Sequence, residues 1–441
     1  MTKDKKYWNE KIETLSPAEY VKLQEDALLR ELRYVWQNSL FYQEKFKQAG
    51  IELNDIRGLD DLYKLPFTEK QEIRDSLISA PPLGKHAAVD IGKVIRVYST
   101  SGTTGNPTYI GLTFHDRDVW KETAMRTMWA CGMRPPHIVP LPIGTFFIAA
   151  SYGEGIESLG ATLIPVGIGA TDRFIGAVKN LGANFVLSTA SFPLYLINYC
   201  QKKGIDPETL GIRGFMVGGE PGGGIPHIRQ KIQETFGAKV QECMGNGDML
   251  GLMWAECEYK NGMHFTGQGM CHPEIIKPNT GEVLEIKEGL NGELVYTSID
   301  RECQPLIRFR TRDHVVVTQT ECECGRTGYC IRCIGRTDDM LIVSGVNVYP
   351  SAIRDIIGTL LPRVTGELLI QLQEPPPSVK PPMKIKVEHG KDPGDLGELK
   401  FEIETLLREK LIFSSEVELV PPGTLPKYEY KAQLVEKTYG K

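Results

Sequence analysis

Apolar residues recur every three or four positions through 7–50, with Val21, Leu28, Leu32 and Val35 on one face, and that spacing predicts helices. In Leu65-Pro66-Phe67-Thr68-Glu69-Lys70, Thr68 reads as the N-cap of another. Between 94 and 335 short apolar runs, at 162–166, 185–187, 214–217 and 239–243, alternate with helical spacing. That alternation predicts βαβ units around a largely parallel sheet. From about 293 short strands take over, for example 293–296 and 314–318. After Gly335 the pattern changes again. Pro350 opens a helix with Ile353, Ile356, Ile357, Leu360 and Leu361 on one face. A linker holding Pro375, Pro376, Pro377, Pro381 and Pro382 leads to an alternating strand at 383–387, and Leu399, Ile403, Leu406, Leu407 and Leu411 line a last helix. The expectation is an α/β fold of two domains, residues 1–335 and a small α+β domain at 336–441, the latter of an ordinary domain size.

Composition narrows the class. With 441 residues, 41% hydrophobic and 24% charged, the chain has the make-up of a globular protein too long for a single core. A net charge of −5 argues against a nucleic-acid groove built on bulk positive charge. The start, Met-Thr-Lys-Asp-Lys-Lys-Tyr-Trp, lacks the apolar core of a signal peptide. The most apolar stretch, 141–150, is too short to cross a bilayer. Ten cysteines without secretory signs fit reduced thiols or a metal site in the cytoplasm. No nucleic-acid or membrane partner is expected, and a homodimer is allowed.

The densest chemistry lies in Tyr98-Ser-Thr-Ser-Gly-Thr-Thr-Gly-Asn-Pro-Thr108. Gly102 and Gly105 open backbone angles closed to other residues, so successive N–H groups can converge on an anion. Ser101, Thr103 and Thr104 add hydroxyl donors. A P-loop is excluded, because Asn106 and Pro107 follow Gly105 where Gly-Lys-Ser/Thr would be required.

This loop, Leu65-Pro66-Phe67-Thr68, Gly335-Arg336-Thr337-Asp338-Asp339 and the late Leu425-Pro426 with Lys431-Ala432 occur in the order seen in the adenylate-forming acyl/aryl-CoA synthetases. The chain resembles the phenylacetate-CoA ligase-like branch of that superfamily over nearly its whole length. The resemblance implies a large N-terminal adenylation domain with parallel sheets and helices plus a β-rich subdomain, and a small mobile C-terminal domain. It implies ATP and Mg²⁺ activating a carboxylic acid to an acyl-adenylate, then transfer to coenzyme A. Ser101, Gly102, Thr103, Thr104 and Gly105 would hold the β- and γ-phosphates, although Asn106 stands where many relatives carry Lys. Gly218, Gly219, Glu220 and Pro221 would pass against the adenine. Met244-Gly245-Asn246-Gly247-Asp248 replaces an aromatic motif ending in Glu, leaving Met244, Gly245 and Asn246 by the nucleotide and Asp248 for Mg²⁺. Asp313 would accept from the ribose hydroxyls, as a carboxylate can from a vicinal diol. Arg336 would reach ribose and phosphate, Asp338 would be the hinge, and Lys431, with Lys427 as a rival, would bridge carboxylate and α-phosphate.

The thiols add a metal site. Two four-ligand sets suit zinc: Cys322, Cys324, Cys330 and Cys333 locally, or Cys257 and His264 with Cys322 and Cys324. The resemblance favours the second, as a structural site with no open position. The segment 141–153 occupies the region that lines the acid pocket in relatives, so Phe147 and Tyr152 would flank a ring, with Ala190 in an opposite wall. An aryl or medium aliphatic carboxylate fits. Transfer to a carrier-protein phosphopantetheine, and a nucleotide-binding regulator that has lost adenylation, are the alternatives.

Overall fold

The computed structural model of the chain describes residues 5–100, 108–144, 146, 148–337, 339–344, 346–428 and 432–439. The N-terminal helical pattern becomes Glu10–Glu13, Pro17–Asn38 and Leu40–Gln48. Leu28, Leu32 and Val35 are buried, whereas Val21 is 44% exposed. The buried position beside it is Gln24, whose amide donates to Cys271 O at 3.0 Å and accepts from Gly269 N at 2.8 Å. Thr68 is not an N-cap. The next helix is Lys70–Ser79, capped by Glu69. Thr68 instead bridges to a strand, its N–H donating to Arg308 O and its hydroxyl to Ile307 O.

Among the described residues nine strands form one mixed sheet. Phe185–Ser188, Gly214–Val217 and Lys239–Asn246 lie parallel, as the apolar runs predict for strands buried on both faces. A separate parallel pair joins Ile138–Leu141 to Thr162–Pro165. From Leu250–Glu256 onward every pairing in the large sheet is antiparallel. The strand-rich part therefore starts some forty residues before the predicted 293. Its early strands are almost wholly buried, which conceals the alternation expected of a half-exposed sheet.

The C-terminal elements enclose their own core. Helices Pro350–Gly358 and Leu396–Leu411 cover a four-stranded sheet of Ser415–Val420, Met383–His389, Val364–Leu372 and Val435–Lys437. The proline-rich stretch is more than a linker, since Ser378–Val379 pairs in parallel with Leu341–Val343. A cleft of about 1300 Å³, lined in part by His227, Lys231, Gly358, Glu388 and Lys427, separates helix Pro226–Phe236 from these elements.

Candidate active site

The loop 101–107, and with it Ser101, Gly102, Thr103, Thr104 and Gly105, lies outside the described residues, as do Phe147, Asp338 and Lys431. The base of the loop is described. Strands Arg96–Ser99 and Tyr109–Leu112 pair antiparallel and bring its two ends together. Thr100 N donates to Thr108 O at 3.0 Å, and the two hydroxyls lie 3.0 Å apart.

Asp248 comes to the same place. It sits in the turn between Lys239–Asn246 and Leu250–Glu256, where its N–H donates to Asn246 Oδ1 at 3.0 Å. An added Cβ on Gly245 would stand 1.9 Å from Gly251 O, which explains the glycine. Thr108 Oγ1 donates to Asp248 Oδ1 at 2.9 Å. Lys70 Nζ lies 2.5 and 2.6 Å from the two carboxylate oxygens and donates to Thr108 Oγ1 at 2.7 Å. Burial pulls the Lys70 ammonium below its ordinary value, and the Asp248 carboxylate works against that fall. Behind the turn the buried Arg301 guanidinium donates to Asp248 O and, at 2.9 Å, to Met249 O. The Asp248 carboxylate and the Thr108 hydroxyl, itself bonded to that of Thr100, are hard oxygens of the kind Mg²⁺ takes; Lys70 would share that carboxylate with the ion.

Asp313 and Arg336 face each other across strands Phe309–Gln319 and Cys330–Arg336. Arg336 Nη1 reaches Asp313 Oδ1 and Thr311 O, each at 3.2 Å, and its side chain remains 43% exposed. Gly218 follows strand Gly214–Val217, and a Cβ there would meet Cys243 O at 2.4 Å. Gly219 has φ +79°, and Pro221 is half-buried in the turn that follows. The Glu220 side chain has a task the sequence does not announce: Oε1 accepts from Ser191 N at 2.7 Å and Oε2 from Ala432 N at 2.8 Å. Met244 pairs opposite Trp254 and is 9% exposed within the main core.

Of the residues expected around the acid, Tyr152 is tied by its hydroxyl to Gly251 O at 2.9 Å. Ala190 is 1% exposed, close under Gly222, where an added Cβ would come within 2.4 Å of the alanine methyl. It backs the wall rather than facing open space. The segment before Tyr152 is a loop and a short 3₁₀ turn, Ile148–Ser151, with Phe146 55% exposed.

The structure brings Cys257, His264, Cys322 and Cys324 together, one ligand atom of each lying within 4.8 Å of the others. Cys257 Sγ stands 3.8 Å from Cys322 Sγ, and Cys324 Sγ 3.3 Å from His264 Nε2. Thiolates at about 2.3 Å from a tetrahedral ion stand about 3.8 Å apart, so the donor set and its span fit zinc. Cys330, cross-strand to His264, has its sulfur 3.4 Å from Nδ1. Cys333 is elsewhere, beside Gly335 O. Burial disfavours a charged His264, but hydrogen bonds to Cys322, Cys324 and Cys330 outweigh it and push the imidazole up to about 11. Hydrogen bonds from Cys257 and His264 hold Cys324 far below the usual thiol range. The Cys-x-Cys loop is anchored to the start of the chain, with Tyr7 Oη donating to Cys324 O at 2.6 Å and Arg326 Nε to Glu13 Oε2 at 3.0 Å, both partners buried.

Lys70 and Arg301 are the site residues that sequence reading missed. A signal existed for Lys70. A cation in the first turn of a helix opposes the helix dipole, and an ammonium placed there needs a partner from elsewhere.

Comparison with known proteins gives the site a context. Residues 345–437 match the AMP-binding enzyme C-terminal domain. The chain is 32% identical to the phenylacetate-coenzyme A ligase of Thermus thermophilus over 443 residues, 95% of this chain and 96% of the relative. It is 33% identical to that of Escherichia coli over 351 residues, 78% of each. Among solved structures, 2-hydroxyisobutyryl-CoA ligase in the postadenylation state with 2-HIB-AMP superposes with a TM-score of 0.91 at 27% identity, covering 99% of this chain and 93% of the other. The same ligase with 2-HIB-AMP and CoA in the thioesterification state gives 0.73 at 27% identity, covering 100% and 94%. The arrangement here is thus nearer the former.

Proposed function

From the premise that the chain belongs to the phenylacetate-coenzyme A ligase family, as an ATP-dependent acid–CoA ligase working through an acyl-adenylate, we propose that it activates a small aryl or arylacetic acid. In the first half-reaction a carboxylate oxygen bonds to the α-phosphorus of ATP and the bond to the bridging oxygen breaks, releasing pyrophosphate. In the second, the CoA sulfur bonds to the acyl carbon, AMP leaves with the old ester oxygen, and the thiol proton passes to solvent. The first step brings anions together, so catalysis is mostly positioning and neutralisation.

The observation that carries this reading is the meeting of Asp248, Lys70 and Thr108 at the base of the Ser/Thr/Gly loop. Bound Mg²⁺ would neutralise phosphate charge, with Asp248 as its protein ligand. Ser101 to Gly105 would hold the β- and γ-phosphates and Gly219 to Pro221 the adenine edge. Asp313 would take the ribose and Arg336 the ribose and phosphate, and Lys431 would join the two reacting anions. Met244, embedded in the core, would support the adenine site from beneath. Phe147 and Tyr152 would flank the acid, and Asp338 would be the hinge of a boundary drawn between 335 and 336. Zinc held by Cys257, His264, Cys322 and Cys324 would be structural. Among the described residues no helix is long and apolar enough to cross a membrane, and a cytoplasmic setting would suit ten cysteines that all stand outside disulfides.

A second acid class is favoured by the 0.91 superposition on 2-hydroxyisobutyryl-CoA ligase: short branched aliphatic acids. Acid-dependent ATP–pyrophosphate exchange across phenylacetate, benzoates, 2-hydroxyisobutyrate and medium-chain acids separates the two. Exchange with aryl acids is expected. Silence across the panel with folded protein would overturn the ligase reading and leave a nucleotide-binding regulator. Exchange without thioester on CoA would point to a carrier-protein acceptor.

A further inference from the structure

We propose that Arg301 is the positioning residue for Asp248, a buried guanidinium that sets how tightly the Asp248 carboxylate can hold a divalent cation. The proposal rests on the metal role given to Asp248 above. One nitrogen, Nη1, donates to two consecutive main-chain oxygens of the turn, Asp248 O and, at 2.9 Å, Met249 O. The Asp248 N–H donates in turn to Asn246 Oδ1 at 3.0 Å. Both main-chain groups of Asp248 are therefore tied, which fixes the direction in which its carboxylate leaves the backbone. Gly247 precedes it and leaves the chain more conformational freedom than any other residue would. The hold on this turn has to come from outside it.

The guanidinium is itself anchored at its base. Arg301 N donates to Glu31 Oε2 at 3.3 Å, and the next two amides, Glu302 N and Cys303 N, donate to the two oxygens of Asp116 at 2.8 and 3.0 Å. Asp116 is buried in the first turn of helix Phe114–Ala130. From the same helix Trp120 sets its ring centroid 5.7 Å from the guanidinium carbon and stacks on Tyr98 of strand Arg96–Ser99. That strand leads to Thr100, whose hydroxyl meets the one that Thr108 donates to Asp248. Arg301 thus joins the two segments that supply the hard oxygens. Stability does not explain the residue. Arg301 is 4% exposed, and among the described residues its Nε and Nη2 have no hydrogen-bond partner, an arrangement that destabilises a buried charge. What the guanidinium supplies is direction. By bonding main-chain oxygens it fixes the turn without competing for the carboxylate, which Lys70 and a cation would share.

The test reads the metal directly, with Mn²⁺ as the probe because it takes the same oxygen ligands as Mg²⁺. Mn²⁺ is titrated into protein saturated with α,β-methylene-ATP, and the EPR signal of free Mn²⁺ gives the dissociation constant. In Arg301→Met that constant should rise about tenfold to a hundredfold, the usual effect of losing a group that orients a metal ligand. The Mg²⁺ concentration at half-maximal pyrophosphate exchange should rise in step. Arg301→Lys should recover most of the loss, since an ammonium can still donate to both oxygens. If Arg301→Met does not fold, Arg301→Gln, which stays polar but is shorter and uncharged, is read in the same way. In an Asp248→Asn background Arg301→Met should add less than about twofold, because a positioning residue acts only through the group it positions. A lower melting temperature with unchanged Mn²⁺ binding, no recovery in Arg301→Lys, or a full additional loss on top of Asp248→Asn overturns the proposal. Unweakened Mn²⁺ binding in Asp248→Asn alone would instead remove the metal role of Asp248, and the proposal with it, a result distinct from the others.

Discussion

At the scale of single residues the decisive contact is Lys70 on Asp248. Lys70 Nζ bonds both carboxylate oxygens and the Thr108 hydroxyl, so it brings positive charge to the loop at which Asn106 supplies none. Lys70→Met should lower the rate of pyrophosphate exchange by about a hundredfold, the usual scale for removing one electrostatic stabiliser. Thioester formation from the finished adenylate should be spared. Unchanged exchange would make the ammonium a structural counter-ion only. Asp248 was legible in the sequence because its carboxylate ends a local pattern. Lys70 was not read as its partner, because the contact joins residues 178 apart and only the folded chain registers it. The Glu220 side chain was hidden for the same reason: sequence reading placed its backbone, and the two amides it collects lie 29 residues before it and 212 after it.

At the scale of elements, the cysteine loop shows what spacing can and cannot decide. Four thiols within twelve residues read as a local cluster as readily as a split one, and strand pairing is what divides them. The register His264↔Cys330 turns Cys330 toward the imidazole, while Cys333 lies by Gly335 O. Cys322→Ser should therefore abolish zinc in the purified protein and cost on the order of 4 kcal/mol of stability, read by elemental analysis and thermal unfolding. Cys333→Ser should keep the metal; its loss there, with retention in Cys257→Ser, would select the local set. A second element contact involves helices Pro226–Phe236 and Pro350–Gly358. The His227 ring lies where a Cβ on Gly358 would be, 2.0 Å away, with its Nδ1 3.8 Å from Asp355 Oδ1. Burial, with Arg354 and Lys231 adding repulsion, pulls His227 down to about 4. Its folded value lies below the ordinary 6.5, so the neutral ring contributes its stability above about 6.5 and loses it as pH falls toward 4. Burial raises the Asp355 carboxyl, with Arg332 working against it. Small-angle scattering should therefore show the domains separating as pH drops from 7 to 4.5, and His227→Gln should flatten that dependence. An identical pH profile in the variant would reject the contact as its source.

At the scale of the whole molecule, the architecture expected from periodicity holds where strands are parallel and buried, and errs where antiparallel strands are apolar on both faces. Leu250–Glu256 has every residue buried, so it carries no alternation to read, and its direction is set by a tight turn at 246–250 instead. The two half-reactions make their demands on the molecule at different times. Lys431→Ala should cut pyrophosphate exchange by about a thousandfold and leave the thiol step near normal, since in the proposed role its charge would matter only while two anions meet. Asp338→Pro, which restricts the expected hinge, should do the reverse. Equal loss of both half-reactions in Lys431→Ala would mean that Lys427 or the fold, rather than that ammonium, bears the effect.

The tie between Cys324, Arg326 and residues 7–13 also bears on the order in which these parts can come together during synthesis. Tyr7 docks on Cys324 O, Glu13 receives Arg326, and the Thr327 N–H donates to Glu13 O. Residues 7–13 thus have no finished seat until residues 322–327 are made, more than three hundred positions later. Cys257 and His264 precede Cys322 and Cys324 in the chain, so their cluster is complete only when the same loop arrives. Seating Tyr7 and Glu13 and gathering the four side chains become one event, which a short cysteine loop completes.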